Sequence, residues 1–276
     1  VNANASAGIQ DTITFDPSLA GNAITLQTGE LQITEGVSIL GLAGITPMVI
    51  DGANLQRIFN IDDLNLGIIS DVDILEIELI NGKAGGNGEG GAILNREDLT
   101  LTNVTISGSE GTKGGAIYSS GPLLTIYGST IRDNLAENGS QGEGGGIFTA
   151  AQGGTVDIDG CLISNNTSGA KGGGVYVGTN DTMKIENSTI LGNTSGQDGG
   201  GIFTNTGSNM EISGSTIAAN TALYGGGIEN NGGLLAIRNS TISGNTANEG
   251  GGLNTVNANA LLFSSTIAFN QAITAG

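Results

Sequence analysis

The side chains of this sequence that could carry chemistry are 26 Asp and Glu, eight Lys and Arg, one cysteine, Cys161, and many Ser and Thr hydroxyls. There is no His, which removes the usual proton carrier of Ser-His-Asp and Cys-His catalysis and the commonest transition-metal ligand. Without a base to ionise it, Cys161 reads as a small buried core residue, not a nucleophile. Carboxylates remain. Two of them can hydrolyse a glycosidic bond, and the adjacent Asp62 and Asp63 are the most suggestive pair, but neighbours on a strand point to opposite faces. Elimination from a sugar acid would need a base beside carboxylate-bound Ca²⁺. Arg57, Lys83, Arg96, Arg132 and Arg238 are scattered along the chain, and the other three basic residues fall in regular columns. The stretch "GGNGEGGAI", Gly85 to Ile93, is superficially like a calcium-binding nonapeptide, but its acid is displaced and it does not recur back to back. Calcium stays open without assigned ligands, and no other cofactor is expected. The reading is of a chain that is not an enzyme.

The elements that would have to position such groups come from an internal repeat. Aligning each "GG[AG][ILV]" puts Ile93, Ile117, Ile147, Val175, Ile202, Ile228 and Leu253 in one column. A second anchor, typified by "NSTI", gives Ile106, Ile131, Ile163, Ile190, Ile217, Ile242 and Ile267, and a third column lies five residues earlier, from Leu101 to Leu262. Each repeat of about 25 residues therefore holds three short segments of period-2 alternation between Gly and Asn turns. That pattern predicts an all-β, right-handed parallel β-helix with three strands per coil and about ten coils. Residues 1–276 form one domain on this reading, with 1–20 a candidate N-terminal cap, 21–89 irregular coils and 90–276 regular coils. The last residues stop where another GG anchor is due, so the parent protein is expected to continue.

Residues at a fixed offset become ladders. Three after the second anchor stand Asn134, Asn166, Asn193, Asn220, Asn245 and Asn270. Asn tolerates left-handed turn angles and its amides can bond from coil to coil, so this is a structural ladder with about 1 kcal/mol in each rung. Four before the first anchor stand Glu89, Lys113, Glu143, Lys171 and Asp198, whose alternating signs predict stacked ion pairs. A Thr column from Thr105 to Thr266 faces outward, but the next outward column is too irregular for ice binding. Cys161 shares an inward column with Ser129, Ser188, Ser215 and Ser240. After the first anchor come Tyr118, Phe148, Tyr176 and Phe203, which alternation places outside, beside the small residues Ala92, Ala116, Gly146 and Gly174. This stripe is either a platform for sugar rings or a partner protein, or an ordinary stacked ladder. Asn103, Asn187 and Asn239 head Asn-x-Thr triplets that belong to the turn grammar of the repeat.

The net charge of -18 repels phosphate backbones and anionic bilayers, which argues against nucleic-acid partners, and no apolar run is long enough for direct membrane insertion. The units "GGGI...STISGNTA..GGGI" resemble the repeats of bacterial surface and secreted β-helix proteins, including the polymorphic outer-membrane protein type with "GGAI" motifs. The opening "NANASAGIQDTITFDPSLAGNAITLQTGELQITEGVSILG" resembles the start of bacterial β-helix proteins with a CSLREA motif, which would fall before Val1. The resemblance covers nearly the whole chain and implies export to the cell surface or medium of a bacterium. The motifs it matches are turn and core positions, so it carries no catalytic residue. Three functions follow: an adhesin-like stalk, a polysaccharide-binding or polysaccharide-active module, or a filament subunit. The partners would be a surface glycan, a host or neighbouring-cell protein, or copies of the chain itself.

Overall fold

A computed structural model describes residues 10–42, 44, 46–65, 69–85, 88–137 and 139–274. The chain winds as an all-β parallel solenoid of about nine turns with roughly 27 residues in each. Three walls run its length. The first is a ten-stranded sheet beginning with Asp11–Thr14 and ending with Asn259–Phe263. The second, also ten-stranded, runs from Ala23–Thr25 to Thr266–Ala268, and the third has nine strands from Leu31–Ile33 to Leu253–Val256. Every pairing is parallel and in register, so that Ile131, for example, lies between Ile106 and Ile163.

Two expectations change. Part of the expected cap, Asp11–Thr14, is already a strand of the first wall paired with Val37–Leu40; residues 1–9 lie outside the described residues. The three-strand coil also gains a short fourth row at the corner between the second and third walls, as in Glu110–Gly111, Leu135–Ala136, Thr167–Ser168 and Thr194–Ser195. Two-residue segments have no periodicity for a sequence to display.

The three anchor columns are buried from Ile93 to Ile242 and form one continuous core. The Asn ladder lines the inside of the corner after the second wall, with Asn166, Asn193, Asn220 and Asn245 fully buried. The left-handed backbone angle belongs to the residue before each rung: Asp133, Asn165, Gly192, Ala219 and Gly244 all have positive φ, and the ladder asparagines do not. The turn is made by one column and stabilised by the next. Asn193 Nδ2 donates to Asn220 Oδ1 and to the Ile163 carbonyl, both at 3.0 Å, while its Oδ1 accepts from the Asn166 backbone N–H and Nδ2 at 2.9 and 3.0 Å. Four bonds satisfy the buried amide and also a corner carbonyl that the strand ladder leaves over.

A parallel ladder of hydroxyls runs inside the corner between the first and second walls. Ser188 N–H donates to Ser215 Oγ at 3.0 Å, and Ser215 N–H to Ser240 Oγ at 3.1 Å. Cys161 takes one rung, its Sγ accepting from Ser129 N–H at 3.5 Å and donating to the Asp159 carbonyl at 3.2 Å. The residue before this ladder is again left-handed, and Asn103, Asn187 and Asn239 are three of its occupants.

Asn193→Ala should destabilise the protein by about 3 kcal/mol, more than the single rung first expected, because both neighbouring amides and the Ile163 carbonyl lose buried partners. Thermal or denaturant melts against the outward Thr189→Ala will show it; equal melting of the two variants would refute the ladder's role. Cys161→Ser should stay within about 1 kcal/mol of the native protein, since a hydroxyl restores the common rung.

Candidate functional surface

The third wall carries the aromatic column, and a loop folds over its outer side. Each GG segment turns at a left-handed glycine, such as Gly172 with φ 64°, and brings the preceding charged residue across the rings. Phe148, Tyr176 and Phe203 are buried, in a cluster separate from the main core, with Tyr118 packed against them. The rings stack face to face at centroid separations of 5.4, 4.3 and 5.1 Å. Of the two alternatives for this stripe, the rings form the stacked ladder and not an exposed platform: Phe203 is 1% exposed. Alternation placed the rings outside the lumen, but not the loop that covers them.

The neighbouring small-residue column also differs from expectation. Ala92 and Ala116 lie in the main core, and Gly146, Gly174 and Gly201 pack under the Asn ladder. A Cβ on Gly201 would sit 3.1 Å from Asn220 Nδ2 and 2.6 Å from the Gly227 carbonyl. The cause is a stacked β-bulge. The N–H groups of Gly174 and Val175 both donate to the Gly201 carbonyl, at 3.1 and 2.9 Å, and those of Ala92 and Ile93 to that of Ala116, at 2.9 and 3.0 Å. Two consecutive residues thus face inward where strict alternation allows one.

The charged column Glu89, Lys113, Glu143, Lys171 and Asp198 is in register from coil to coil and continues to Tyr224 and Glu249. Among the described residues, its only neighbours within ion-pair distance are Lys171 and Asp198, at 3.5 Å. Stacked ion pairs are thus not the main contact. The lysines instead lie on the rings: Lys113 Nζ is 5.2 Å from the Phe148 centroid and Lys171 Nζ 4.6 Å from that of Phe203. The cations shield aromatic faces, and the aliphatic stems help to cover them. Burial raises the Glu143 pKa, against the pull of Lys113 and Lys171. It also pushes the Tyr118 and Tyr176 phenols up to about 12, so both stay protonated.

The first wall is the most chemically varied outer surface. Asp157, Lys184 and Glu211 form one outward column, and Tyr127, Asp159, Glu186, Ser213 and Arg238 the next. A depression of about 150 Å³ is lined by Tyr127, Asp157, Asp159, Lys184 and Glu186, with Tyr127 44% exposed. Lys184 bonds to Glu186 at 2.5 Å, not to the column neighbours Asp157 and Glu211. That bond raises the lysine pKa and lowers that of the acid. A general acid requires the reverse, a carboxyl that keeps its proton near neutrality. The arrangement suits hydrogen bonding to a polar ligand better than bond cleavage.

Asp62 and Asp63 do not diverge. Their strand ends at Ile61, so alternation no longer applies, and together with Glu97 they place carboxylate oxygens within 4.8 Å of one another. These oxygens already have donors. Arg96 reaches Asp62 at 2.6 Å; Leu64 N–H bonds to Asp62 and Asn65 N–H to Asp63; Asp63 and Ser70 N–H groups bond to Glu97. A Ca²⁺ ion needs six to eight oxygens, and of these carboxylates Asp62 is already paired with the Arg96 cation. The cluster closes a loop. At "GGNGEGGAI", Gly86 and Asn87 lie outside the described residues.

Phe203→Ala should cost about 3 kcal/mol and expose the Tyr176 ring, whereas trimming the less covered Tyr118 should cost less. Chemical denaturation of the two variants tests this; equal, negligible losses would mean that the stack is ornamental. Burial also raises the Cys161 pKa, so a thiol reagent should react only at the rate of global unfolding.

Among the described residues, no helix is long and apolar enough to cross a membrane. No curated protein and no solved structure matches the chain. The family model described as "right handed beta helix region" matches residues 65–190 and 145–274. By the residues that those matches span, in agreement with the stacked parallel walls, the chain belongs to the right-handed beta helix region family.

Proposed function

We propose that this chain is a non-enzymatic rod, an adhesin-like stalk displayed on or secreted from a bacterial cell. The observation that carries the reading is where the buried polar groups go. The Asn and Ser ladders bond along the solenoid axis and join each coil to the next. The carboxylates that could have formed a reactive pair are held by Arg96, by backbone N–H groups or by Lys184. An axial hydrogen-bond ladder resists stretching, fraying and proteolysis, which are the demands on a stalk. The bacterial, exported setting rests on the resemblance of the repeats and of the opening segment.

A second reading, a polysaccharide-binding module, is favoured by the exposed Tyr127 beside Asp157 and Asp159 in the first-wall depression. An aromatic ring with flanking hydrogen-bonding groups can stack on a sugar and fix its hydroxyls.

Glycan arrays and reducing-end assays on acidic and neutral polysaccharides, with and without added calcium, separate the readings. The stalk predicts no release of reducing ends and no selective glycan retention, together with slow proteolysis of the folded rod. Retention lost in Tyr127→Ala at unchanged stability would establish the second reading. Calcium-dependent cleavage would overturn the non-enzymatic proposal.

A further inference from the structure

The spine over the third wall changes character at one coil. From Tyr118 to Phe203 an aromatic residue lies beneath a charged one; in the next coil the aromatic column holds Glu229, and Tyr224 stands in the charged column. Glu229 takes the place in the stack that an aromatic ring held in each of the four coils before. It lies in register between Phe203 of the preceding coil and Asn254 of the following one. Its side chain is only 4% exposed. One oxygen accepts from Asn254 Nδ2 at 3.1 Å, and the other, Oε2, is buried without a hydrogen-bond partner.

The charged groups around it do not neutralise it. Lys171, the cation that acts on it, already faces Asp198 and the Phe203 ring. Asp198 approaches from the loop of the coil before, and Glu249 from that of the coil after, and both repel a carboxylate at Glu229. A buried acid with one unpaired oxygen, between two further acids, is accommodated far better as neutral carboxyl than as an anion.

We propose that Glu229 is a proton-controlled joint in the rod. Protonated, it completes the buried column between Phe203 and Asn254 and holds the coils from Ile228 onward against the rest. Ionised, it leaves the column for water, and the loop over the third wall loosens there.

The direction of the pH dependence follows. Burial, as the largest cause, raises the Glu229 pKa from 4.5 to about 7; repulsion from Asp198 and Glu249 adds to the rise, and the Asn254 hydrogen bond and Lys171 oppose it. A carboxyl with a raised folded-state value stabilises the fold fully below its unfolded value. That contribution is lost as the pH climbs through the folded value and is gone above it. The joint is firm in mildly acidic surroundings and loosest from about neutral pH upward.

Hydrogen exchange on the intact chain, expressed as protection factors so that the intrinsic pH dependence cancels, tests the proposal. In the native protein, protection of segments spanning 228–256 should fall about seventyfold between about pH 5 and about pH 8. Glu229→Gln, neutral throughout, should abolish the fall. Glu229→Phe, which continues the aromatic column, should do the same and covers the case in which the Gln amide itself disturbs the packing. Unchanged native protection across this range would overturn the proposal, as would an equal fall in both variants.

Discussion

The rest of the structure depends on hydrogen bonds that run along the solenoid axis at one strand spacing. A coil of this fold cannot bury its own inward polar groups, because the partner of each lies one strand, about 4.8 Å, away on the next coil. Along the strands the backbone meets this need unaided. At the corners, where the chain bends and the ladder is interrupted, carbonyls and N–H groups would be left over inside an apolar lumen. The Asn amide supplies both a donor and an acceptor there, and the Ser hydroxyl does so at the next corner. Each works only if the same kind of group stands at the same place on the neighbouring coil. Repetition in the sequence is the consequence of this requirement.

Much of the fold was legible for that reason. The three apolar columns, the parallel register, the inward Ser and Cys161 and the amide ladder all come from counting offsets, because stacking turns an offset into a contact. Where reading failed, the cause was local geometry without a repeating side-chain signal. The bulge before each GG anchor turns Ala92 and Ala116 inward and depends on two N–H groups sharing a carbonyl. Burial of Phe148, Tyr176 and Phe203 depends on the path of the glycine loop, which leaves no side-chain period in the sequence. Asp62 and Asp63 were assigned opposite faces on the assumption that their strand continued past Ile61. For the left-handed turn, the ladder Asn was credited with a role held by the residue before it, where Asp133, Ala219 and several glycines share a backbone angle and little else.

The same logic divides the molecule into constrained and free surface. Inward columns and the spine must match from coil to coil, so Ile, Asn, Ser or an aromatic ring recurs. On the outer side of the first wall the register passes through Thr125, Asp157, Lys184, Glu211 and Ala236, a sequence of types that no stacking rule demands. Selectivity for a partner would have to arise on such a column, since its identity can change without loss of the fold.

The excess of acids is tolerated because of shape. Nine turns at about 4.8 Å extend roughly 43 Å, several times the screening length of about 8 Å at physiological ionic strength. Charges on distant coils hardly sense one another, and a net charge of -18 strains the rod less than it would a sphere of equal mass. Repulsion acts mainly between rods that approach side by side, where it opposes lateral aggregation of a surface made of strands. Within a single rod it matters most where an acid is buried beside others. Glu229 is such a place, itself buried and repelled by the half-buried Asp198 and the exposed Glu249, and the aromatic column ends there because a carboxyl has replaced the ring.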